Sequence, residues 1–152
     1  MNTITPDALL SLVTAALERT CFLITDPSTA ERCASRGEPL SFNARIRHSG
    51  PTNGWVSVHA SEGFVRELAS SLLGVEPDQV EPGVEGRDAI RELANILGGS
   101  VVTAVGGEVS EYRLGLPEEH GGSPSGCVRC DLETPSGALA VCWLPDRPAK
   151  AA

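Results

Sequence analysis

Residues 86–99 read Gly86-Arg87-Asp88-Ala89-Ile90-Arg91-Glu92-Leu93-Ala94-Asn95-Ile96-Leu97-Gly98-Gly99, and this stretch decides the fold of the chain. At about 100° per residue, its apolar side chains fall on one narrow stripe, as on the core-facing side of an amphipathic helix. The stripe consists of Ile90, Leu93, Leu97, Val101 and Ala104. The pattern therefore predicts a long helix from about Arg87 to Val105, ended by Gly106-Gly107.

The opposite face of this helix carries an unusual set of residues. Asp88, Glu92 and Asn95 are spaced by four and three positions, so they share one face, and Gly99 continues the row. A solvated face usually favours Lys, Glu, Gln and Ala. Each Gly inside a helix costs about 1 kcal/mol relative to Ala, and close approach of another backbone is one reason to tolerate that cost.

The composition is that of an ordinary globular chain. Of 152 residues, 41% are hydrophobic and 21% are charged, which predicts one domain over 1–152, with a core over about 5–145 and a disordered tail over 146–152. The net charge of −8 argues against nucleic acid and anionic membranes as partners. No apolar run reaches the length of a membrane span. Five scattered cysteines and the lack of a visible secretory signal favour a reducing cytoplasm.

The chain before the long helix predicts a helix, a hairpin and a second helix. Thr5-Pro6-Asp7 is a helix start, with a capping hydroxyl, a proline and an acid in the first turn. Alternating apolar and polar residues mark the strands, and Pro-Gly-Asn clusters mark the turns. The predicted elements are a helix over 8–20, a loop over 25–39 with room for one helical turn, strands over 40–47 and 55–59 around a turn at 49–54, a helix over 62–73 and a loop over 75–86.

The chain after the long helix predicts one strand and a second hairpin. The predicted elements are a strand over 111–116 stopped by Pro117, a flexible loop over 118–126, and strands over 127–133 and 138–144 around a turn at 134–137. Strands joined by short turns are antiparallel. The order of elements therefore predicts an α+β fold, with a mainly antiparallel sheet covered by long helices.

A weak internal repeat relates the two halves. Asp7-Ala8-Leu9-Leu10-Ser11-Leu12-Val13-Thr14 can be laid over Asp88-Ala89-Ile90-Arg91-Glu92-Leu93-Ala94-Asn95, and a hairpin follows each helix after a linker. In this overlay Ser11 and Thr14 occupy the places of Glu92 and Asn95. The first half would then be a structural copy without the polar pair.

At these residues the chain resembles the CheC/CheX/FliY group of chemotaxis phosphatases, and CheX most closely. The motif of that family is Asp or Ser, three residues, Glu, two residues, Asn, twenty-one residues and Pro. Asp88, Glu92, Asn95 and Pro117 meet every spacing, and Gly99 meets the Asn-x-x-x-Gly continuation. The likeness covers residues 40–117 well and the ends loosely, and four matched positions at fixed spacing are a fairly specific signal.

The resemblance implies a CheC-like, pseudo-duplicated fold and a phosphatase activity. The implied substrate is the aspartyl-phosphate of a CheY-type receiver domain, which supplies its own Mg²⁺ and Lys, so no metal or cofactor is expected in this chain itself. The unmatched first half fits the CheX type, which has one active helix per subunit. The resemblance also implies a homodimer.

Under this resemblance each motif residue has an expected role. Asn95 orients a water in line with the phosphorus, because a carboxamide both accepts and donates hydrogen bonds without repelling the phosphoryl oxygens. Glu92 pairs with the receiver's Lys and fixes the docking register. Gly99, with Gly98, leaves clearance for the partner's loops. Asp88 either tunes the pair or favours the helix N-terminus, and Pro117 is a fixed turn beside the site.

Two features depart from the family pattern. Glu118 and Glu119 follow Pro117 and would add negative charge near a phosphorylated partner. The stretch 25–39 resembles an insertion relative to the family pattern. Both of these departures concern the expected activity more than the expected fold. Separately, Arg87 and Arg91 are expected to be solvated.

Other readings of the same residues stay open. The polar helix face is by itself compatible with simple solvation. Cys127-Val128-Arg129-Cys130 has metal-type spacing, but a strand would point the two thiols to opposite faces, so core or incidental thiols are favoured. His59 lies at a strand end and is interpreted as structural. Besides a phosphatase, the motif allows a non-catalytic adaptor that binds a receiver or a flagellar-motor component, or a structural module that only dimerises.

Overall fold

The structure is a computed structural model that describes residues 3–105, 112–121 and 126–146. Its helices are α1 (Pro6–Cys21), α2 (Ala30–Ser35), α3 (Glu62–Leu73) and α4 (Arg87–Ala104). Its strands are β1 (Asp26–Ser28), β2 (Phe42–Ser49), β3 (Gly54–Ala60), β4 (Arg113–Leu114), β5 (Glu118–Glu119), β6 (Val128–Glu133) and β7 (Ala138–Pro145).

All described strands form one antiparallel sheet, in the order β1-β6-β7-β3-β2-β4, and β5 also pairs with β2. The core lies where one face of this sheet meets the helices. Strand residues such as Ile46, Val58 and Val141 are fully buried there with Leu9, Phe64 and Leu93 of the helices. The α+β fold with a mainly antiparallel, helix-covered sheet is therefore confirmed.

The sheet has the symmetry expected of a pseudo-duplication. The two hairpins, β2–β3 and β6–β7, meet at the centre of the sheet through β3 and β7. The short strand after each long helix pairs with the hairpin of the other half, β1 with β6 and β4 with β2. In the overlay of α1 on α4, Leu9 and Val13 are buried, as are Ile90 and Ala94 at the matching positions.

The helix ends follow the sequence signals. Thr5 Oγ1 accepts a hydrogen bond from the Ala8 N–H at 3.1 Å, and Pro6 takes the first helical position, so α1 begins as predicted. The bounds of α3 match the prediction, and Gly74 ends that helix with φ +70°. A left-handed residue at this place satisfies the last carbonyls, and Gly adopts it without strain.

Two predicted loops contain regular structure. Within 25–39, β1 pairs with β6, and Thr29 caps α2 by accepting a bond from the Arg32 N–H at 3.1 Å. Within 75–86, a 3₁₀ turn spans Pro77–Gln79 and a π-helical turn spans Pro82–Gly86, which runs directly into α4. These elements are too short to produce a periodic pattern, and of them the sequence indicated only the one helical turn within 25–39.

Three further expectations about strands and ends need correction. The strand predicted over 111–116 is two residues long, and pairing resumes in β5, where a loop was predicted. Ala104, which was predicted to lie on the core-facing stripe of α4, is exposed, and Val105 is buried instead. Asp146, assigned to the tail, accepts two hydrogen bonds from Arg47, at 3.0 and 2.5 Å. Gly106-Gly107, residue 111, residues 122–125 and the tail from 147 onward lie outside the described residues.

Candidate functional site

The two faces of α4 are as the sequence predicts. Asp88, Glu92 and Asn95 are exposed and Gly99 is half-buried, while the other side of the helix packs on β2 and β3. The buried residues of α4 are Ala89, Ile90, Leu93, Ala94, Leu97, Gly98, Val101 and Val102. The polar row therefore faces solvent, on a helix whose position is fixed by the packing of its buried face.

A β-bulge lies beside this polar row. The pairs His48–Leu114 and Arg45–Glu118 bracket two residues on β2 but three residues, 115–117, on the partner strand. The one extra residue makes β4 and β5 a single edge strand interrupted by the bulge, which re-aims side chains locally. The Gly115 N–H still donates to the Arg47 carbonyl at 2.8 Å. Pro117, which has no N–H to donate, is tolerated in an edge bulge.

The bulge and the polar row together enclose one cleft of about 290 Å³, here called the α4 cleft. The α4 cleft is lined by Asp88, Arg91, Glu92, Asn95, Gly115, Leu116 and Pro117. The fold thus brings together all four positions of the sequence motif, including Pro117, which lies more than twenty residues beyond Asn95. Residues with a shared role must lie close together in space, and these four do.

The two glycines of α4 differ in what surrounds them. A Cβ on Gly98 would lie 2.9 Å from Ile46 Cγ2 and 3.3 Å from Leu114 Cδ2, so this glycine lets the helix approach β2 and β4 closely. A Cβ on Gly99 would meet nothing within 4 Å. The expectation that Gly98 leaves room for a partner is therefore wrong, since Gly98 is buried against its own sheet. Gly99 remains open beside the polar row.

Ion pairs hold the bulge against α4 and β2. Glu119 lies 3.2 Å from an Arg87 nitrogen and 3.1 Å from an Arg91 nitrogen, and Glu118 lies 2.7 Å from the Arg45 nitrogen. Arg87 and Arg91 keep much of their side-chain surface accessible, as expected of solvated residues, but both also pair with Glu119. Glu118 and Glu119 therefore add less negative charge next to the cleft than expected, because their partner arginines offset it.

Arg91 also approaches Asp88, at 3.5 Å. Among the described residues, the ion pairs within 4.0 Å do not include Glu92, whose carboxylate is exposed in the cleft. An unpaired exposed carboxylate is available for a cation of a partner, whereas a paired one must first break its own contact. The arrangement leaves Glu92 as the free acid of the α4 cleft.

The C-terminal end of α1, at Cys21, lies near Glu92. Burial, together with the negative charge of Glu92, raises the pKa of the Cys21 thiol to about 11. Sequence reasoning missed this neighbour, as it missed Arg91, Gly115 and Leu116 of the cleft. The only sequence signal for the last two was their position next to Pro117 in the motif.

The cysteines and His59 lie in other surroundings. All five cysteines are free, and burial together with the neighbouring Cys127 thiol raises the pKa of the Cys142 thiol. Cys130 packs in the hydrophobic core. In the described part of the chain, no group of three or more His, Cys, Asp or Glu residues is arranged to hold a metal ion. Of the helices that the structure describes, none has the length and apolarity needed to cross a membrane.

His59 is buried on the outer face of the sheet, where both ring nitrogens are bonded. Nδ1 donates to Asn43 Oδ1 at 2.7 Å, and Nε2 accepts from Ser57 Oγ at 3.0 Å. Burial lowers the pKa of His59 to about 4, and the positive charges of His120 and Arg129 act in the same direction. A neutral imidazole with both nitrogens satisfied fits a structural role.

This environment predicts acid destabilisation. Below pH 6.5 the unfolded chain protonates His59 while the folded chain does not, so the free energy of unfolding falls from about pH 6.5 down to about pH 4. The lost stability amounts to about 3 kcal/mol. Urea unfolding at several pH values measures the slope, and His59→Gln should flatten it. An NMR titration giving an imidazole pKa near 6.5 in the folded protein would contradict the prediction.

This chain belongs to the family of the chemotaxis phosphatase CheX, whose model matches residues 42–132. The match spans β2 to β6 and includes every residue of the α4 cleft. No curated protein sequence matches the chain significantly.

Solved structures share the fold at low sequence identity. CheX from Vibrio vulnificus is 16% identical, with 96% of this chain and 100% of that chain covered and a TM-score of 0.67. A putative chemotaxis protein from Desulfovibrio vulgaris Hildenborough is 16% identical, with coverages of 91% and 94% and a TM-score of 0.66. The CheX-CheY-BeF3-Mg²⁺ complex from Borrelia burgdorferi gives 13% identity, coverages of 95% and 100%, and a TM-score of 0.63.

Proposed function

We propose that this protein hydrolyses the aspartyl-phosphate of a CheY-type receiver domain, with α4 as the docking and catalytic element. One observation carries the proposal: Asp88, Glu92, Asn95 and Pro117, matched to the family motif by spacing alone, line one open cleft. Membership of the CheX family supports the same class of activity. A protein of the same fold was crystallised with CheY, BeF3 and Mg²⁺, which makes a CheY-type partner the natural choice.

The reaction needs little from the phosphatase. An acyl phosphate is already activated, and the receiver brings the Mg²⁺ and Lys that offset charge on the phosphoryl oxygens. The missing part is a water held in line with the phosphorus. The water oxygen bonds to phosphorus while the bond from phosphorus to the aspartyl oxygen breaks. Phosphate leaves with the oxygen and one proton of the water, the second proton passes to solvent, and the receiver's carboxylate is regenerated.

Asn95 is assigned to this water. Its amide is exposed in the α4 cleft, where a docked partner would exclude bulk solvent. The amide oxygen accepts a hydrogen bond from the water and the amide nitrogen donates one to it, without adding a charge that would repel phosphate. The backbone of α4 is fixed by its buried face, so the amide is presented on a rigid element.

Glu92 is assigned to docking. It lies one helical turn before Asn95, and its carboxylate is free to pair with the receiver's Lys. A charge-assisted hydrogen bond adds geometry as well as energy, so this pair sets the register in which Asn95 meets the phosphoryl group. Asp88, in the first turn of α4, adds negative charge on the same side. Gly99 leaves room for the partner beyond Asn95.

The direct test measures phosphate lifetime. Receiver domains from the same cell are phosphorylated with a small-molecule phosphodonor, and loss of phosphate is followed with and without the protein, in Mg²⁺. The proposal expects faster loss at substoichiometric protein. Binding without a change in lifetime would replace it with the adaptor function, and the absence of any binding would leave only the structural module. The homodimer implied by the family stays a prediction that sedimentation analysis can check.

Replacing the free acid of the cleft should weaken docking. We expect Glu92→Gln to raise the receiver concentration needed for half-maximal rate about tenfold at low salt, because a charge-assisted contact is lost. The difference from the wild-type protein should shrink as salt screens the pair. Steady-state dephosphorylation at several ionic strengths measures both effects.

Glu76→Gln is the matched control, since Glu76 is an exposed acid outside the cleft. It should leave the half-maximal concentration unchanged. An equal effect from both variants would mean that the protein's net charge steers the receiver, not Glu92 in particular.

A further inference from the structure

Leu116 is the most exposed large apolar residue in the described part of the chain, with 89% of its surface accessible. Single exposed leucines are common on protein surfaces and need no explanation by themselves. Leu116 differs because of where it is held. It is the middle residue of the bulge, and it lines the α4 cleft together with Glu92 and Asn95.

The backbone on both sides of Leu116 is fixed. Before it, Gly115 donates to the Arg47 carbonyl at 2.8 Å, and Leu114 pairs with His48. After it, Glu118 and Glu119 resume pairing with β2. A flexible loop would have to lose conformational entropy on binding, whereas a bulge fixed in this way presents its side chain at little further cost.

The side chains of the same segment strengthen this attachment. Glu118 pairs with Arg45 of β2, and Glu119 pairs with Arg87 and Arg91 of α4. These three contacts tie the bulge to the strand below and to the helix beside it. Leu116 is therefore held outward at a set distance from the polar row of α4.

We propose that Leu116 is an apolar anchor that contacts the receiver domain beside its phosphorylated aspartate. This inference rests on the proposed function and adds a second kind of contact to it. The free carboxylate of Glu92 complements the Lys of the receiver's active site, and Leu116 beside it calls for an apolar patch on the rim of that site. The occupant that fits both features of the cleft is one receiver surface, cationic at its centre and apolar at its edge.

The two contacts contribute differently. Charged contacts steer the encounter and set orientation, while a buried apolar side chain at the edge of an interface contributes affinity and slows dissociation. Leu116 has no group that reacts with phosphate or water, so it is a docking residue and acts on binding alone. Its contribution should also be insensitive to salt, unlike that of Glu92.

The test compares Leu116→Ala, Leu116→Met and Leu73→Ala in steady-state dephosphorylation. Leu116→Ala should raise KM for the phosphorylated receiver about tenfold with kcat unchanged, and this loss should be the same at low and high salt. Leu116→Met keeps an apolar side chain of similar size and should restore most of the affinity. Leu73 is also exposed but lies at the end of α3 outside the cleft, so Leu73→Ala should behave as wild type.

The outcomes separate this inference from the proposed function. An active wild-type protein whose KM is unaffected by Leu116→Ala overturns the anchor and leaves the phosphatase in place. A fall in kcat at constant KM also overturns it, because Leu116 would then act on the chemistry. If the wild-type protein binds receivers without hydrolysis, the phosphatase proposal fails, and the dissociation constant of Leu116→Ala still decides the anchor. If no receiver binds, both fail.

Discussion

Asn95→Ala is expected to abolish dephosphorylation of the receiver, with a fall of about a hundredfold or more in the rate at saturating receiver. The reason is that the proposed reaction depends on one oriented water, and small errors in the position of a reacting group cost factors of this size. Single-turnover loss of phosphate from the receiver, at excess protein, measures the step directly. Because Asn95 is exposed, its removal should leave the fold intact.

Asn95→Ala should therefore lower the dephosphorylation rate without lowering the free energy of unfolding. Ala favours a helix more than Asn does, so the free energy of unfolding of Asn95→Ala should be equal to or slightly above that of wild type. Thr14→Ala is the matched control, because Thr14 occupies the corresponding place on α1 and lacks the carboxamide. It should leave the rate unchanged. An Asn95→Ala protein that keeps half of the wild-type rate would rule out the assigned water.

Gly98→Leu is expected to destabilise the protein by about 1–3 kcal/mol, the range found when side chains are forced into a packed core. The Cβ alone would lie 2.9 Å from Ile46 Cγ2, and Ile46 is a fully buried residue of β2 with little room to move. Leu is a strong helix former, so low helix propensity is not the cause of the loss. Urea or thermal unfolding of the purified variant measures the change.

Gly99→Leu makes the same substitution at the next residue and is the matched comparison. A Cβ at Gly99 meets nothing within 4 Å, so this variant should be as stable as wild type, or up to about 1 kcal/mol more stable through helix propensity. It should still raise KM for the receiver, since it fills the clearance beside Asn95. Equal stability losses in the two variants would mean that Gly98 is not a packing residue.

Much of the architecture could be predicted because it has a local cause. Repeated apolar spacing marks α1, α3 and α4, and alternation marks the hairpins β2–β3 and β6–β7, so these elements were placed to within about two residues. The short strands β1 and β5 were not predicted, and α2 was expected only as one helical turn within the loop over 25–39. These elements are defined by pairing with distant strands or by a single capping residue, and lengths of two to six residues are too short to show a period.

Some residues of the candidate site could also be predicted from the sequence, and others could not. Asp88, Glu92 and Asn95 share a helix face by spacing alone, and Pro117 came from the family motif. Arg91 and Leu116 were not singled out, because nothing local distinguishes a cleft arginine or leucine from a solvated one. Their role depends on the bulge, which exists only when residues 113–119 pair along β2.

The sequence alone therefore determined the helices, the hairpins and the polar row of α4, since each follows from periodicity within one segment. Tertiary structure alone decided what surrounds that row. It buried Gly98 against Ile46 and left Gly99 open, although the two are adjacent and chemically identical. It also placed the bulge beside α4 and paired Glu119 with Arg87 and Arg91. These contacts join residues far apart in the chain, and only the folded sheet brings them within reach.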